Sequence, residues 1–307
     1  MDTSRLPRFK RVATVAALEL TERDREIIRM VHRFRFMRSS HIASLIPGSP
    51  QQLLRRLKLL YHHGFLERPR AQIDYYHQGG SRPMVYGLGS KGAAFLQRDL
   101  DPGFAQLRWG EKNRAAGRVF LEHAPLVADV MVAIELACRR TGIRLLTDRE
   151  LAVADRITGA RRPFRWHVNV SNRLKLGVIP DYVFALDFKD QSGAGQRAFF
   201  FLEADRATMP VLRKNLSQTS FYRKLRAYEA TWSQSIHQTQ FGFHRFRVLT
   251  VTTSATRVKS LVEACSLLER GQGLFLFADR TVLERPGAMF APIWQIGKPG
   301  QTVSLLD

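Results

Sequence analysis

The chain has 307 residues, 45% of them hydrophobic, which is enough for two domains with cores of their own. Lys and Arg number 48 against 27 Asp and Glu, and the resulting formal net charge of +21 favours association with a polyanion such as double-stranded DNA. No stretch approaches 18 consecutive apolar residues and no apolar run follows the basic Met1–Lys10, so neither a transmembrane helix nor a secretory signal is expected, and a cytoplasmic protein is.

After an N-terminal arm over residues 1–19, a first domain is expected over 20–100. Thr21 caps a helix with Glu22 and Asp24 in its opening turn and Ile27, Ile28, Met30, Val31 and Phe34 at helical spacing. Ser40 caps a short second helix carrying Ile42, Ala43, Leu45 and Ile46. Pro47-Gly48 ends it, and Ser49-Pro50 restarts the chain. The third helix, Gln51 to about His63, buries Leu53, Leu54, Leu57 and Leu60, and its other face offers Gln51, Gln52, Arg55, Arg56 and Lys58. Gly64 stops it. Phe65-Leu66-Glu67-Arg68 starts a strand, Gly79-Gly80-Ser81 turns, and Met84 to Leu88 returns. This hairpin carries Arg68, Arg70, Gln72, Tyr75, Tyr76, His77 and Arg82, and Ser90-Lys91-Gly92 opens a further helix. A helix-turn-helix followed by a basic hairpin is the pattern of a winged helix, with one helix in the major groove and the wing on the neighbouring backbone. Gln and Arg at the front of the third helix are residue types that reach base edges.

A linker is expected over 101–118, marked by Asp101-Pro102-Gly103 and Trp109-Gly110-Glu111-Lys112. The second domain, 119–283, opens on a long helix from Val119 to Arg140. Strand-like segments follow at Ile143–Glu150, in the basic stretch Arg156–Lys175, at Val178–Leu186 and at Arg197–Glu203. A helix over Leu212–Ala230, a strand at Phe246–Thr253, a helix over Ala255–Arg270 and a strand at Leu274–Phe277 complete an α/β domain with a mixed sheet. Residues 284–307, rich in Pro and Gly, read as a strap without regular structure. Cys138 and Cys265 sit in apolar helical surroundings as small core residues. No CxxC, His/Cys cluster or P-loop is present. In the basic stretch, Arg161, Arg162 and Arg165 are candidate phosphate contacts.

One constellation carries chemistry. Ile179-Pro180-Asp181 opens one strand and Glu203-Ala204-Asp205 closes a later one. Side chains two apart on a strand share a face, so Glu203 and Asp205 converge, and Asp181 joins them if the strands pair. Three buried carboxylates need a compensating cation, and Mg2+ or Mn2+ suits such oxygen ligands. The following helix places Lys224 and Tyr228 on one face, with Phe221 beside them. A second reading has Glu203 and Asp205 in a structural ion-pair network with Arg206, Arg213 or Arg223.

Pro180-Asp181 and Glu203-Ala204-Asp205 resemble the signature of the PD-(D/E)xK nuclease superfamily, in which an acidic residue opens one strand and (D/E)xK lies on the next. The resemblance implies a restriction-endonuclease-like mixed-sheet domain with Asp181, Glu203, Asp205 and Lys224 as its catalytic set. The lysine that helps to activate water there is replaced by Asp205, and Lys224 is the substitute. The order of the pieces is also similar to the bacterial replication-relaxation family of plasmids and other mobile elements. Leu20–Asp24, Val85–Gly92, Glu122-His123, Pro180-Asp181, Phe201–Thr208 and Lys224–Tyr228 carry that similarity. It implies a DNA-associated role in replication, relaxation or mobilisation, alongside replication or mobilisation proteins. Two functions stand: a DNA-binding protein on a nuclease-like scaffold, and a metal-dependent endonuclease targeted by its winged helix.

Overall fold

The computed structural model describes residues 7–12, 17–73, 82–100, 113, 116–148, 150–151, 164–172, 174–190 and 192–307. The expected turn Gly79-Gly80-Ser81, the residues Tyr75, Tyr76 and His77 expected in the hairpin, most of the expected linker, and Arg161 and Arg162 lie outside them. The protein is α+β and forms two compact units, residues 1–132 and 133–307. The division falls inside the long helix rather than before it.

In the first unit, α1 spans Glu22–Phe34. Thr21 closes a capping box: its hydroxyl accepts from the Asp24 amide and the Asp24 carboxylate accepts from the Thr21 amide at 2.8 Å. Ile27, Ile28, Val31 and Phe34 form its buried stripe. Three residues then pair as β1, Phe36–Arg38, a strand the helical periodicity does not announce. Arg35, at φ 65, turns the chain out of α1, and Phe36 and Met37 go fully into the core. Helix α2 is Ser39–Leu45; Ser40 lies inside its first turn, and the His41 ring, not a Ser40 hydroxyl, accepts from the amide of Arg38 at 3.2 Å.

Helix α3, Pro50–His62, starts on a first-turn proline. Leu53, Leu57, Leu60 and Tyr61 are buried, but Leu54 is 49% exposed and belongs to the outer face, contrary to expectation. The α3 stripe is narrow, with Leu53 and Leu57 one turn apart on its axis, so the neighbouring position rotates into solvent. Strands β2 (Leu66–Glu67) and β3 (Val85–Leu88) pair antiparallel, and the sheet order is β1-β3-β2. Helix α4 is Ser90–Leu100. Gly89 and Gly92 precede and open it because a Cβ at either would drive into the backbone of Gly64 and Phe65, against which this segment runs. Helix α5, Arg118–Thr141, contains Pro125 and buries Val130, Met131, Ile134 and Ala137.

The second unit is a seven-stranded mixed sheet in the order β12-β11-β10-β9-β8-β7-β4. Strands β4 (Arg144–Thr147), β7 (Tyr182–Lys189) and β8 (Gly195–Ala204) make an antiparallel meander. Strands β9 (Arg247–Thr252) and β10 (Phe275–Asp279) follow parallel to β8. Helix α6 is Phe221–Ser233, α7 is Ile236–Thr239 and α8 is Ala255–Cys265. The expected helix start at Leu212 is wrong: Ser220 caps α6, and Leu212, at 49% exposed, lies in an irregular approach that includes Pro210. The expected strand Val178–Leu186 is likewise two. Strand β6 (Leu174–Val178) pairs, among the described residues, with β5 (Trp166–Ser171), and Ile179-Pro180-Asp181 links it to β7.

That β5–β6 hairpin brings Trp166 onto the sheet. Its ring lies 5.1 Å from that of Phe201 and its indole donates to Thr231 on α6 at 2.8 Å, in an aromatic core with Tyr228, Phe241, Phe243 and Phe246. Cys138 and Cys265 are both buried, and burial pushes the Cys265 thiol up to about 12. The C-terminal segment is not an irregular strap. Strands β11 (Trp294–Ile296) and β12 (Thr302–Val303) extend the sheet antiparallel beyond β10, and Trp294 and Leu305 are fully buried.

Candidate functional site

The first unit places the expected reading residues unequally. Gln51, Gln52 and Arg55 are exposed at the front of α3, joined by Leu54, and Lys58 is half-buried. Arg56 turns the other way. Its guanidinium grips Asp24 on α1, Nε to Oδ1 at 2.7 Å and Nη2 to Oδ2 at 2.6 Å, and Nη2 also donates to the Glu19 carbonyl at 2.6 Å. Asp24 is fully buried. Burial opposes its ionisation, but the hydrogen bonds from Arg56 and Thr21 outweigh this and hold its carboxyl below the usual range. Arg56 therefore fixes α3 on α1 and is withdrawn from the exposed face.

Arg68 is a second correction. It is 6% exposed, donates to the Tyr86 hydroxyl at 3.0 Å and the Arg8 carbonyl at 2.7 Å, and stacks over the rings of Tyr61 and Tyr86 at 4.3 and 5.1 Å. A phosphate cannot reach it without unpacking that stack. Arg70 and Arg82 are exposed, as is Arg165 in the second unit.

In the second unit the two strands do pair. The register that sets Tyr182 opposite Leu202, continued by one residue, puts Asp181 beside Glu203. Asp181 Oδ2 accepts from the Ala204 amide at 2.8 Å, and the Asp181 amide donates to the Leu202 carbonyl at 3.0 Å. Glu203 is 2% exposed. Lys224 Nζ, from α6, donates to Glu203 Oε2, and the Tyr228 hydroxyl donates to Oε1 at 2.6 Å. Burial pushes Glu203 up to about 6, with the Lys224 ammonium opposing the shift and the charge of Asp181 reinforcing it. Burial disfavours the Lys224 charge too, but Glu203 and Asp181 outweigh it and raise the ammonium pKa. Burial and the same carboxylates push the Tyr228 hydroxyl well up, so it stays a donor.

Asp205 does not join this group. Its carboxylate takes Arg257 Nε at 2.8 Å and the Thr252 hydroxyl at 2.7 Å, and Oδ1 takes the Ala207 amide at 3.2 Å. Of the arginines near it in sequence, Arg223 donates instead to the Ser217 carbonyl at 3.4 Å. The structure thus splits the expected set: Asp181, Glu203 and Lys224 meet, with Tyr228, while Asp205 belongs to an ion pair with α8. Arg257 carries no signal in the sequence beyond standing three residues after the Ser254 cap, 52 positions from its partner.

The donor chemistry bears on a divalent ion. Among the described residues no three His, Cys, Asp or Glu side chains gather closely enough to hold one. Both Glu203 oxygens already accept from cationic or hydroxyl donors, and Asp205 is neutralised by Arg257. As arranged, these residues do not fit a resident Mg2+ or Mn2+, which demands several free oxygen ligands.

No helix among the described residues is long and apolar enough to cross a membrane. A family model described as replication-relaxation matches residues 28–245, a span that takes in α3, Asp181, Glu203, Asp205 and Lys224 but stops short of Arg257. No curated protein and no solved structure matches the chain. With well over half of its length matched, and with the two carboxylates and the helix lysine brought together inside the match, the chain belongs to the replication-relaxation family.

Proposed function

We propose that this protein binds double-stranded DNA through a winged helix in its first unit. Its role is in replication, relaxation or mobilisation of a bacterial plasmid or mobile element, alongside replication or mobilisation proteins. One observation carries the reading: Gln51, Gln52 and Arg55 stand exposed on a helix whose opposite face is packed and whose orientation Arg56 locks to α1. A rigid helix presenting amide and guanidinium groups is what base-edge readout requires. Hairpin cations Arg70 and Arg82 and the +21 net charge supply the sequence-independent attraction. A fluorescence-anisotropy titration tests it. Gln52→Ala and Arg55→Ala should each weaken specific binding by about 1–3 kcal/mol while leaving the melting temperature in place. Unchanged affinity in both variants removes α3 from the interface.

A second reading, a metal-dependent endonuclease on a restriction-endonuclease-like scaffold, is favoured by one contact. Lys224 reaches Glu203 from the next helix, as a lysine substituting for position 205 would. The same contact occupies the carboxylate that an ion would need, so binding is preferred. Nicking of supercoiled plasmid in Mg2+ or Mn2+, lost in Glu203→Gln, would reverse the order.

A further inference from the structure

Residues 7–12 pass along the end of α3 and β2 as an irregular segment, tied there by several hydrogen bonds. Arg68 Nη1 donates to the Arg8 carbonyl at 2.7 Å. The Val12 amide donates to His62 Nδ1 at 3.4 Å. Arg11 lies over the Tyr61 ring, donates to the Tyr61 and Leu66 carbonyls at 2.9 and 3.0 Å, and pairs with Glu67 at 2.9 Å. His62, Glu67 and Arg68 are all buried. Exposure along the segment alternates: Phe9 and Arg11 are half-buried against the unit, while Arg8 and Lys10 are exposed.

Burying polar groups costs desolvation, and His62, Glu67 and Arg68 each place one of their hydrogen bonds on this segment, which offsets part of that cost and ties the segment down. The outward result is two exposed cations, Arg8 and Lys10, on a segment whose neighbours are tied to Leu66, Glu67 and Arg68. We infer that this pinned segment is a second phosphate-contacting element, presenting Arg8 and Lys10 to the backbone of double-stranded DNA, with Arg68 as its positioning residue. The inference rests on the DNA-binding reading. It assigns Arg68 the task of holding the arm in place of touching phosphate. Contacts of this kind carry no sequence information and add equally to specific and non-specific affinity.

The test is a salt series of DNA titrations on the full chain. The variant Arg8→Ala/Lys10→Ala removes two exposed cations and leaves the Arg68 bond to the backbone carbonyl at position 8 in place, and its melting temperature is recorded beside the titrations. Its slope of log K against log salt should flatten by about 1.8, at about 0.9 per lost phosphate contact, on cognate and unrelated duplexes alike. Arg68→Met should give the same flattening, and combining it with the double variant should add nothing further. An unaltered slope in the Arg8→Ala/Lys10→Ala protein overturns the inference, even if Gln52→Ala and Arg55→Ala weaken binding as expected. Flattening confined to an acidic polypeptide competitor, with DNA unaffected, overturns it in favour of a protein partner. Wild-type protein that binds no duplex at all removes both readings together.

Discussion

Lys224 on α6 and Tyr228 one turn further along take the two oxygens of a single buried carboxylate, Glu203, so one helix face neutralises one strand end. Lys224→Met would leave Glu203 buried without its counter-charge, with Tyr228 still bonded to the other oxygen. Breaking a buried pair costs about 3–5 kcal/mol, and because Lys224 keeps part of its side chain in water the low end, about 3 kcal/mol, is expected. The charge attraction requires ionised Glu203, whose pKa is raised to about 6. Urea unfolding should therefore show a larger loss at pH 7 than at pH 5, where Glu203 carries a proton in both proteins.

Glu203→Gln addresses the ion. The amide keeps a partner for Tyr228 but takes from Lys224 the carboxylate it bonds, leaving it the charge of Asp181, and a loss of about 1–3 kcal/mol is expected. Thermal melts should show the same loss with and without Mn2+, and wild type should gain nothing from the metal. A wild-type melting temperature that climbs with Mn2+, and a variant that does not follow, would mean the site takes an ion after all.

Neighbouring arginines on α3 should separate cleanly. Arg55→Ala should weaken DNA binding and spare the fold, because Arg55 is exposed. Arg56→Ala should do the reverse in the absence of DNA, stranding fully buried Asp24 at a cost of about 3–5 kcal/mol. Equal melting temperatures for the two variants would contradict the placement of Arg56.

His62 gives the first unit an acid limit. Burial, then the nearby Arg68, Lys58, Arg11 and His63, lower its pKa from 6.5 to about 4, so the fold holds it neutral with Nδ1 free to accept from Val12. An unfolded chain takes up the proton first as pH falls, so the contribution is intact above 6.5 and is lost progressively from there to about 4. Denaturation midpoints across that window should fall less steeply in His62→Gln than in wild type. Parallel curves would show that His62 does not titrate as described.

What could be read from the chain follows from the range of the forces involved. Thr21 with Asp24, and Gly64 after α3, act within a turn, and those boundaries are written locally. The meeting of Asp181 with Glu203 is legible only as a condition: two long apolar strands flank a short connection, and their register decides it. Three short strands were not: β1, β11 and β12 have too few residues to show alternation, and long-range pairing defines them. Charged residues were the least legible. Arg56 and Arg68 look like surface cations in sequence, since nothing local distinguishes a guanidinium bound for water from one bound for Asp24 or Tyr86. Asp205 looks like a ligand until Arg257 is brought beside it from another helix.

The two short C-terminal strands also guard a border. Without β11, the outer rim of β10 would offer unpaired amides and carbonyls along Phe275–Asp279, a flat and largely apolar template for other chains. Trp294 and Leu305 pin that cover in place, and β12, only two residues long, leaves little edge of its own to recruit a neighbour. The last two dozen residues thus serve edge protection as well as folding: shortening the chain there uncovers β10, and the expected outcome is aggregation, read by light scattering.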